Sequence, residues 1–394
     1  MYEVIIIGAG PAGLMAARTL KECGIEDFIL IDSKKKIGMP LRCGEGIGTH
    51  EFHELFSKRE YEFIANKVIK HDIIYEDLTR TFSSDFYQLN RPEFEKWLAK
   101  DIENKIMLNT KMLNLNVHKG YAEVTTEKKI LKTKIVLLCN GCNFKVQQKL
   151  GMLKKEPVVV PCYGGLYKKH NLDENKFFFI FDKYPGAMWV FPKSKNIANI
   201  GIGIFKYDVN IKKFLSELNI KYKINAEQIS EFSGTFPAFG PIDKTYHDRL
   251  LVCGNAAGFV FAGTGEGIYF ALKSGKIAAN VCVKSLKKNV FDKSELKNYE
   301  KLWKKAFGKQ LKAGVIFLDL LEIGYKFNKM RSMFSSPSEE ELRGMVLIGN
   351  IPKRAMILWR LSKLFNLKNK KKIPKLFKIM YNIFRKERKK RNKI

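Results

Sequence analysis

Val4-Ile5-Ile6-Ile7-Gly8-Ala9-Gly10-Pro11-Ala12-Gly13 is a short apolar run feeding a small-residue turn that opens a helix. A continuous apolar run of this length reads as a buried strand. In the turn, Gly8 permits the tight reversal, Gly10 lets the backbone approach a pyrophosphate, and Gly13 lets helix and strand pack closely. The helix N-terminus that follows, at Pro11 and Ala12, offers unpaired N–H groups to the anion. A second apolar run, Phe28-Ile29-Leu30-Ile31, ends at Asp32, about twenty residues downstream, where a ribose-binding acid belongs. The chain therefore opens as a βαβ unit suited to a dinucleotide.

One glycine turn does not separate FAD from NAD. About 250 residues later, Leu251-Val252-Cys253-Gly254-Asn255-Ala256-Ala257-Gly258 repeats the strand-and-turn design and runs on into Gly263-Thr264-Gly265-Glu266-Gly267-Ile268-Tyr269-Phe270. This pairing resembles the flavoproteins of the aromatic-hydroxylase and glutathione-reductase type, whose late strand and following helix run beside the ribityl chain and flavin. Two further stretches narrow the resemblance: Ile37-Gly38-Met39-Pro40-Leu41-Arg42-Cys43-Gly44-Glu45-Gly46 and Leu89-Asn90-Arg91-Pro92-Glu93-Phe94-Glu95-Lys96-Trp97-Leu98. With Gly265-Glu266-Gly267-Ile268 they are similar to the geranylgeranyl reductase family, in motif order, over about residues 1–290.

The resemblance implies an α/β chain with a Rossmann-type FAD-binding domain, an interleaved antiparallel-sheet substrate domain and a helical basic C-terminal region. It implies FAD as cofactor and Cys43 as the candidate catalytic residue, near the flavin ring. Cofactor contacts are implied for Arg42, Cys43, Gly44 and Arg91, for Gly141 in the middle turn, for Gly254 and Asn255 in the late turn, and for Gly265, Gly267 and Ile268 at the start of a helix whose positive end suits a reduced flavin. Trp189, Phe191 and Pro192 match a substrate-pocket motif, with Ala187 where the family has tyrosine. Asn140 and Asn255 stand where the family usually has aspartate; an amide oxygen also accepts hydrogen bonds. The implied activity is reduction of carbon–carbon double bonds in isoprenoid chains of a membrane lipid or lipid precursor, with NAD(P)H or ferredoxin as electron donor. The rival readings are a flavin monooxygenase, an electron-transfer flavoprotein serving a membrane quinone, and a basic RNA-binding protein with structural FAD.

Expected domain segments are 1–75 with 90–150 and 245–290 for the cofactor, 76–89 with 151–244 for the substrate sheet, and 291–394 for the basic helices. Of the net charge of +31, residues 351–394 carry 17 Lys or Arg against the single acid Glu387, a net +16. There, Ile357, Leu361, Leu364 and Phe365, then Ile373, Leu376, Phe377, Met380, Ile383 and Phe384, recur at helical spacing between basic residues. Basic amphipathic helices of this kind suit an anionic membrane surface better than nucleic acid. No apolar run is long enough for a membrane span, and Val4–Ile7 is too short for a signal peptide, so the expected location is cytoplasmic and peripheral on the inner face of the membrane. The seven cysteines are scattered, which argues against a disulfide framework. Neither the Cys139-x-x-Cys142 pair nor His50 with His53 has a partner set at metal-site spacing, so no metal is expected.

Gly10→Val is expected to block the approach of the pyrophosphate and to yield colourless protein. Visible absorbance of the purified variant checks this, and a yellow protein with full FAD would show that the first motif does something else.

Overall fold

In the computed structural model, which describes residues 1–205, 209–348, 351–352 and 355–356, the opening run forms β1 (Tyr2–Ile7). The glycine turn leads into α1 (Pro11–Glu22), and the chain returns as β2 (Phe28–Ile31). Val4, Ile5 and Ile6 are wholly buried because β1 lies mid-sheet, paired on both sides. The chain then alternates between two sheets. β3 (Gly46–Gly48), β4 (Ile64–Tyr75) and β5 (Leu78–Leu89) belong to the second, with α2 (Thr49–Leu55) beside them. After α3 (Arg91–Ala99) the first sheet takes β6 (Ile106–Met107), β7 (Met112–Val117), β8 (Ala122–Thr126) and β9 (Ile130–Leu138). Beyond α4 (Lys145–Lys149), the second sheet takes β10 (Val159–Lys168), β11 (Lys176–Phe181), β12 (Gly186–Pro192) and β13 (Ile197–Ile204). α5 (Ile211–Lys221), β14 (Glu227–Gln228) and β15 (Phe232–Pro237) complete it. β16 (Tyr246–His247) and β17 (Leu250–Val252) close the first sheet.

The first, eight-stranded sheet runs β16-β17-β9-β1-β2-β6 and is parallel from β17 to β6. β9 is shared: residues 130–133 pair antiparallel with β8, and Thr133–Leu138 pair parallel with β1. The second, nine-stranded sheet runs β14-β10-β13-β12-β11-β4-β5-β3, with β15 on β10. Its pairs are antiparallel except β4 with β11. Residues 46–75 do not belong to the cofactor sheet, where the sequence reading places them. β4 and β5 form a hairpin through Glu76, which takes a left-handed φ of 56°, and a tight hairpin cannot be divided between two sheets.

α6 (Ile268–Lys288) crosses α1 closely: a Cβ at Gly275 would lie 2.1 Å from the carbonyl oxygen of Ala12. α7 (Lys293–Lys326) begins at Asp292, whose carboxylate accepts from the N–H groups of Ser294 and Glu295, so the helix is capped by its own sequence. Leu296, Tyr299, Trp303, Phe307, Leu311, Gly314, Phe317 and Leu321 form its buried stripe at three- and four-residue spacing. Tyr299 Oη donates to the Val252 carbonyl (2.8 Å) and Trp303 Nε1 to Thr245 Oγ1 (2.9 Å), which fastens α7 to the first sheet. α8 (Met330–Ser335), α9 (Glu339–Arg343) and a π-helical turn at Gly344–Ile348 follow. The basic amphipathic helices expected at 357–365 and 373–384 lie outside the described residues. No described helix is long and apolar enough to cross a membrane.

Gly275→Val is expected to force α1 and α6 apart and to cost about 1–3 kcal/mol, as overpacking does. A lowered thermal unfolding midpoint checks this; an unchanged one would mean the crossing has slack.

Candidate active site

The C-terminal ends of β1, β2, β9 and β17 face the apolar side of the second sheet across a cavity of about 830 Å³, within the roughly 300–1,000 Å³ typical of small-molecule sites. At its polar end the glycine turn behaves as its pattern predicts. Gly8 has φ 108°, and a Cβ there would stand 2.3 Å from the Cys139 carbonyl oxygen. A Cβ at Gly13 would lie 1.9 Å from Gly8 O, so Gly13 acts through packing and lies outside the cavity lining. Gly10 and Gly141, by contrast, would direct a Cβ into space free of protein within 4 Å. Asp32 Oδ2 accepts from Ala9 N–H (2.6 Å) and Oδ1 from Lys34 N–H (2.8 Å), which ties the acid to the turn.

The structure brings Gly8, Gly10, Pro11, Ala12, Asp32, Arg42, Cys43, Gly44, Arg91, Gly141, Gly254, Asn255, Gly265, Gly267, Ile268, Trp189 and Phe191 to this one cavity. Pro192, expected on the pocket floor, does not line it. Side chains alternate along a strand, so Trp189 and Phe191 of β12 face the cavity and Pro192 faces away. Asn140 donates through Nδ2 to the Asn143 carbonyl (3.0 Å), while its Oδ1 is buried with no partner among the described residues. That orphaned acceptor, the open space at Gly10 and Gly141, and the N-terminus of α1 fit an FAD, with acceptors for ribityl hydroxyls and N–H groups for pyrophosphate.

Cys43 and Arg91 meet at the centre. Cys43 Sγ accepts from Glu45 N–H (3.2 Å) and lies against the Arg91 guanidinium. Burial works against the Arg91 cation, but Glu95, 2.8 Å away, and Cys43 outweigh it and raise its pKa. Glu45 holds a left-handed φ of 69°, unusual for a residue with a Cβ. Its carboxylate accepts from Arg91 N–H (2.9 Å), Lys193 Nζ (2.7 Å) and Asn199 Nδ2 (3.0 Å). Asn199 also donates to the Cys43 carbonyl (2.8 Å) and accepts from Trp189 Nε1 (2.9 Å), which links the Cys43 loop to the aromatic side of the cavity. The indole has room because β10 and β13 present glycines: a Cβ at Gly201 would fall 2.1 Å from Trp189.

Beyond Trp189 the cavity is aromatic. Phe177 stacks on Phe191 at 4.1 Å between centroids, and Phe179 meets Phe191 edge-on. His71 is buried among Phe82, Phe86, Phe177 and Phe179, and burial pushes its pKa down to about 3, so the ring is neutral. Cys139 and Cys253 share a hydrogen bond, which together with burial raises the Cys139 thiol pKa. All seven cysteines are free thiols. Among the described residues no group of His, Cys, Asp and Glu is placed to hold a metal.

A model of the pyridine nucleotide-disulphide oxidoreductase family matches residues 5–178. The chain is 32% identical over 345 residues to the digeranylgeranylglycerophospholipid reductase of Methanocaldococcus jannaschii, covering 82% of this chain and 87% of that one. The chain belongs to the digeranylgeranylglycerophospholipid reductase family. A second relative, digeranylgeranylglycerophospholipid reductase 2 of Methanopyrus kandleri, is 27% identical over 368 residues, 87% of this chain and 89% of its own. The fold matches a geranylgeranyl bacteriochlorophyll reductase-like protein from Thermoplasma acidophilum with TM-score 0.76 at 22% identity, covering 97% and 98% of the two chains. It also matches a flavin-dependent brominase with TM-score 0.69 at 17% identity, covering 93% and 100%. As a family member the chain is an FAD-dependent oxidoreductase.

Sequence reasoning misses the Glu45, Lys193 and Asn199 network. Its members are up to 154 residues apart, and an isolated Lys after Phe-Pro carries no signal. It also misses Phe177 and Phe179, since the run Phe177-Phe178-Phe179-Ile180-Phe181 reads only as sheet core.

Lys193→Met leaves the Glu45 carboxylate buried without its cation and is expected to cost about 3–5 kcal/mol. Urea unfolding checks this, and adding Glu45→Gln should recover part of the loss. A single variant as stable as wild type would mean that water reaches Glu45.

Proposed function

We propose that this protein is an FAD-dependent reductase that saturates carbon–carbon double bonds in the isoprenoid chains of a membrane lipid or its precursor, the geranylgeranyl chain being the substrate class. The observation that carries the reading is the continuity of one cavity, polar where the glycine turns converge and aromatic along β11, β12 and β15. When bound, FAD supplies the hydride chemistry. An isolated alkene is poorly activated, so the protein's contribution is alignment and exclusion of water. Phe177, Phe179 and Phe191 offer a prenyl chain dispersion contacts without polar competition, and Trp189 is held in place through Asn199. Arg91 carries a fixed positive charge beside Cys43 at the flavin end.

The proposal extends to the surroundings of the cavity. Leu347 lines it, and the segment with net charge +16 follows directly in sequence, which supports a pocket mouth held at an anionic membrane on its inner face. A nicotinamide nucleotide or a reduced ferredoxin recharges the flavin.

The test is anaerobic. The protein is reduced with dithionite and mixed with a geranylgeranylated glycerophospholipid in anionic or zwitterionic vesicles, and flavin reoxidation is recorded with product mass. Reoxidation with two hydrogens gained per double bond is expected, faster with anionic vesicles and slowed by salt. Prenyl lipids that leave the flavin reduced, with oxygen and an aromatic compound giving a mass gain of one oxygen, would replace this reading with a monooxygenase.

A further inference from the structure

Reduction of an alkene needs a proton as well as a hydride, and three acidic residues, Asp32, Glu45 and Glu266, are among those that line the cavity. Two are committed. Asp32 accepts from Ala9 and Lys34 N–H groups, and Glu45 is paired with Lys193. The Glu266 carboxyl makes no hydrogen bond or ion pair to any described residue. Its backbone is well fixed: its carbonyl accepts from Phe261 N–H (2.8 Å), and α6 begins two residues later.

Its neighbours place it at the junction of the two ends of the cavity. A Cβ on Gly265 would touch Phe236 at 3.2 Å, on the aromatic side, while one on Gly267 would approach Asn255 Oδ1 at 3.4 Å, on the flavin side. Of the other titratable residues in the lining, His71 is neutral within its aromatic surround, and the Cys43 thiol lies beside the Arg91 cation with its sulfur accepting from the Glu45 N–H.

We propose that Glu266 is the catalytic acid that delivers the proton to the alkene, an inference that rests on the reductase reading above. In the step, the π bond opens and its two carbons each gain a C–H bond. One is formed by the hydride, with its electron pair, that the reduced flavin supplies; the other is formed by the proton from the Glu266 carboxyl as its O–H bond breaks. The flavin is left oxidised by two electrons and Glu266 as a carboxylate, which solvent reprotonates. A general acid must carry its proton at working pH, and the surroundings of Glu266 favour the protonated form. Burial, with repulsion from Glu51 of α2, pushes its pKa up to about 8. The other charged groups at the α2–α6 contact neutralise each other: Glu54 accepts from Tyr269 Oη (2.5 Å) and Lys273 Nζ (2.6 Å), with His50 close to Glu54, and against its own burial Glu54 is held below the usual carboxylate range.

Three readouts test the assignment. In infrared spectra of the oxidised protein, a protonated-carboxyl band should disappear with a midpoint near pH 8 and be absent from Glu266→Gln. With dithionite-reduced protein, Glu266→Gln should slow flavin reoxidation by geranylgeranyl lipid by about 10²- to 10⁴-fold, while binding FAD and bleaching with dithionite as wild type does. The wild-type rate should fall about tenfold per pH unit above about 8, as the acid form is lost. A Glu266→Gln variant that reduces the lipid at the wild-type rate overturns the assignment and leaves the reductase reading standing. If the variant loses its flavin, the wild-type profile decides: a rate independent of pH through about 8 overturns it. A wild-type protein that reduces no prenyl lipid, whatever its infrared band, removes the reductase reading and this role with it.

Discussion

The Glu45 carboxylate is wholly buried where the two sheets meet, and donors from three separate segments converge on it: the Arg91 N–H at the start of α3, Lys193 Nζ beyond β12, and Asn199 Nδ2 in β13. A buried charge is tolerated only when it is paired and its remaining lone pairs are satisfied. The loop from Arg42 to Gly46, including the strained backbone at Glu45 itself, is therefore held in one conformation. Everything the site needs from that loop follows from this constraint. Cys43 is brought against Arg91, and Gly44 is pressed within 3.1 Å of Phe191 at the position a Cβ would occupy. The aromatic floor and the flavin side thus share one rigid support.

The cavity is divided by polarity as a consequence of topology. The parallel sheet ends in glycine turns and helix N-termini, which expose backbone N–H groups and suit an anionic cofactor. The second sheet turns one side of its alternating strands inward, and on β11 and β12 that side is Phe177, Phe179, Trp189 and Phe191. In such a dry setting a titratable group either finds a partner or adopts its neutral form. Arg91 and Glu95 pair, His71 is neutral, and burial raises the Glu266 pKa.

After β17 the pocket is lined by the start of α6, at Ile268 and Ala271, and α7 packs behind that segment. Phe317 of α7 fills the space that a side chain at position 263 would need, coming within 2.2 Å of that Cβ position. Leu347 reaches the cavity wall. Arg80 of β5 donates to the carbonyls of Phe334, Ser335 and Pro337, which binds the segment after α7 to the second sheet.

The local segments were legible from sequence because their signals are local. Val4–Gly13 with Asp32, the late turn at Gly254 and the start of α6 at Gly267 each follow from periodicity and turn chemistry within about twenty residues. The boundary at residue 75 was not legible, because strand alternation looks the same in either sheet and only pairing decides membership. Pro192 was misplaced since a motif does not say which residues of a strand face inward. By itself the sequence determined that the chain builds a dinucleotide site from glycine turns and which family it resembles, since backbone freedom and helix-end charge are properties of short segments. Only the tertiary structure decided that Glu45 would meet Lys193, that Asn199 would join Trp189 to Cys43, and that Glu266 would stand unpartnered between the flavin and aromatic ends. Those relations depend on burial and on contacts between residues far apart in the chain, and no local pattern encodes them.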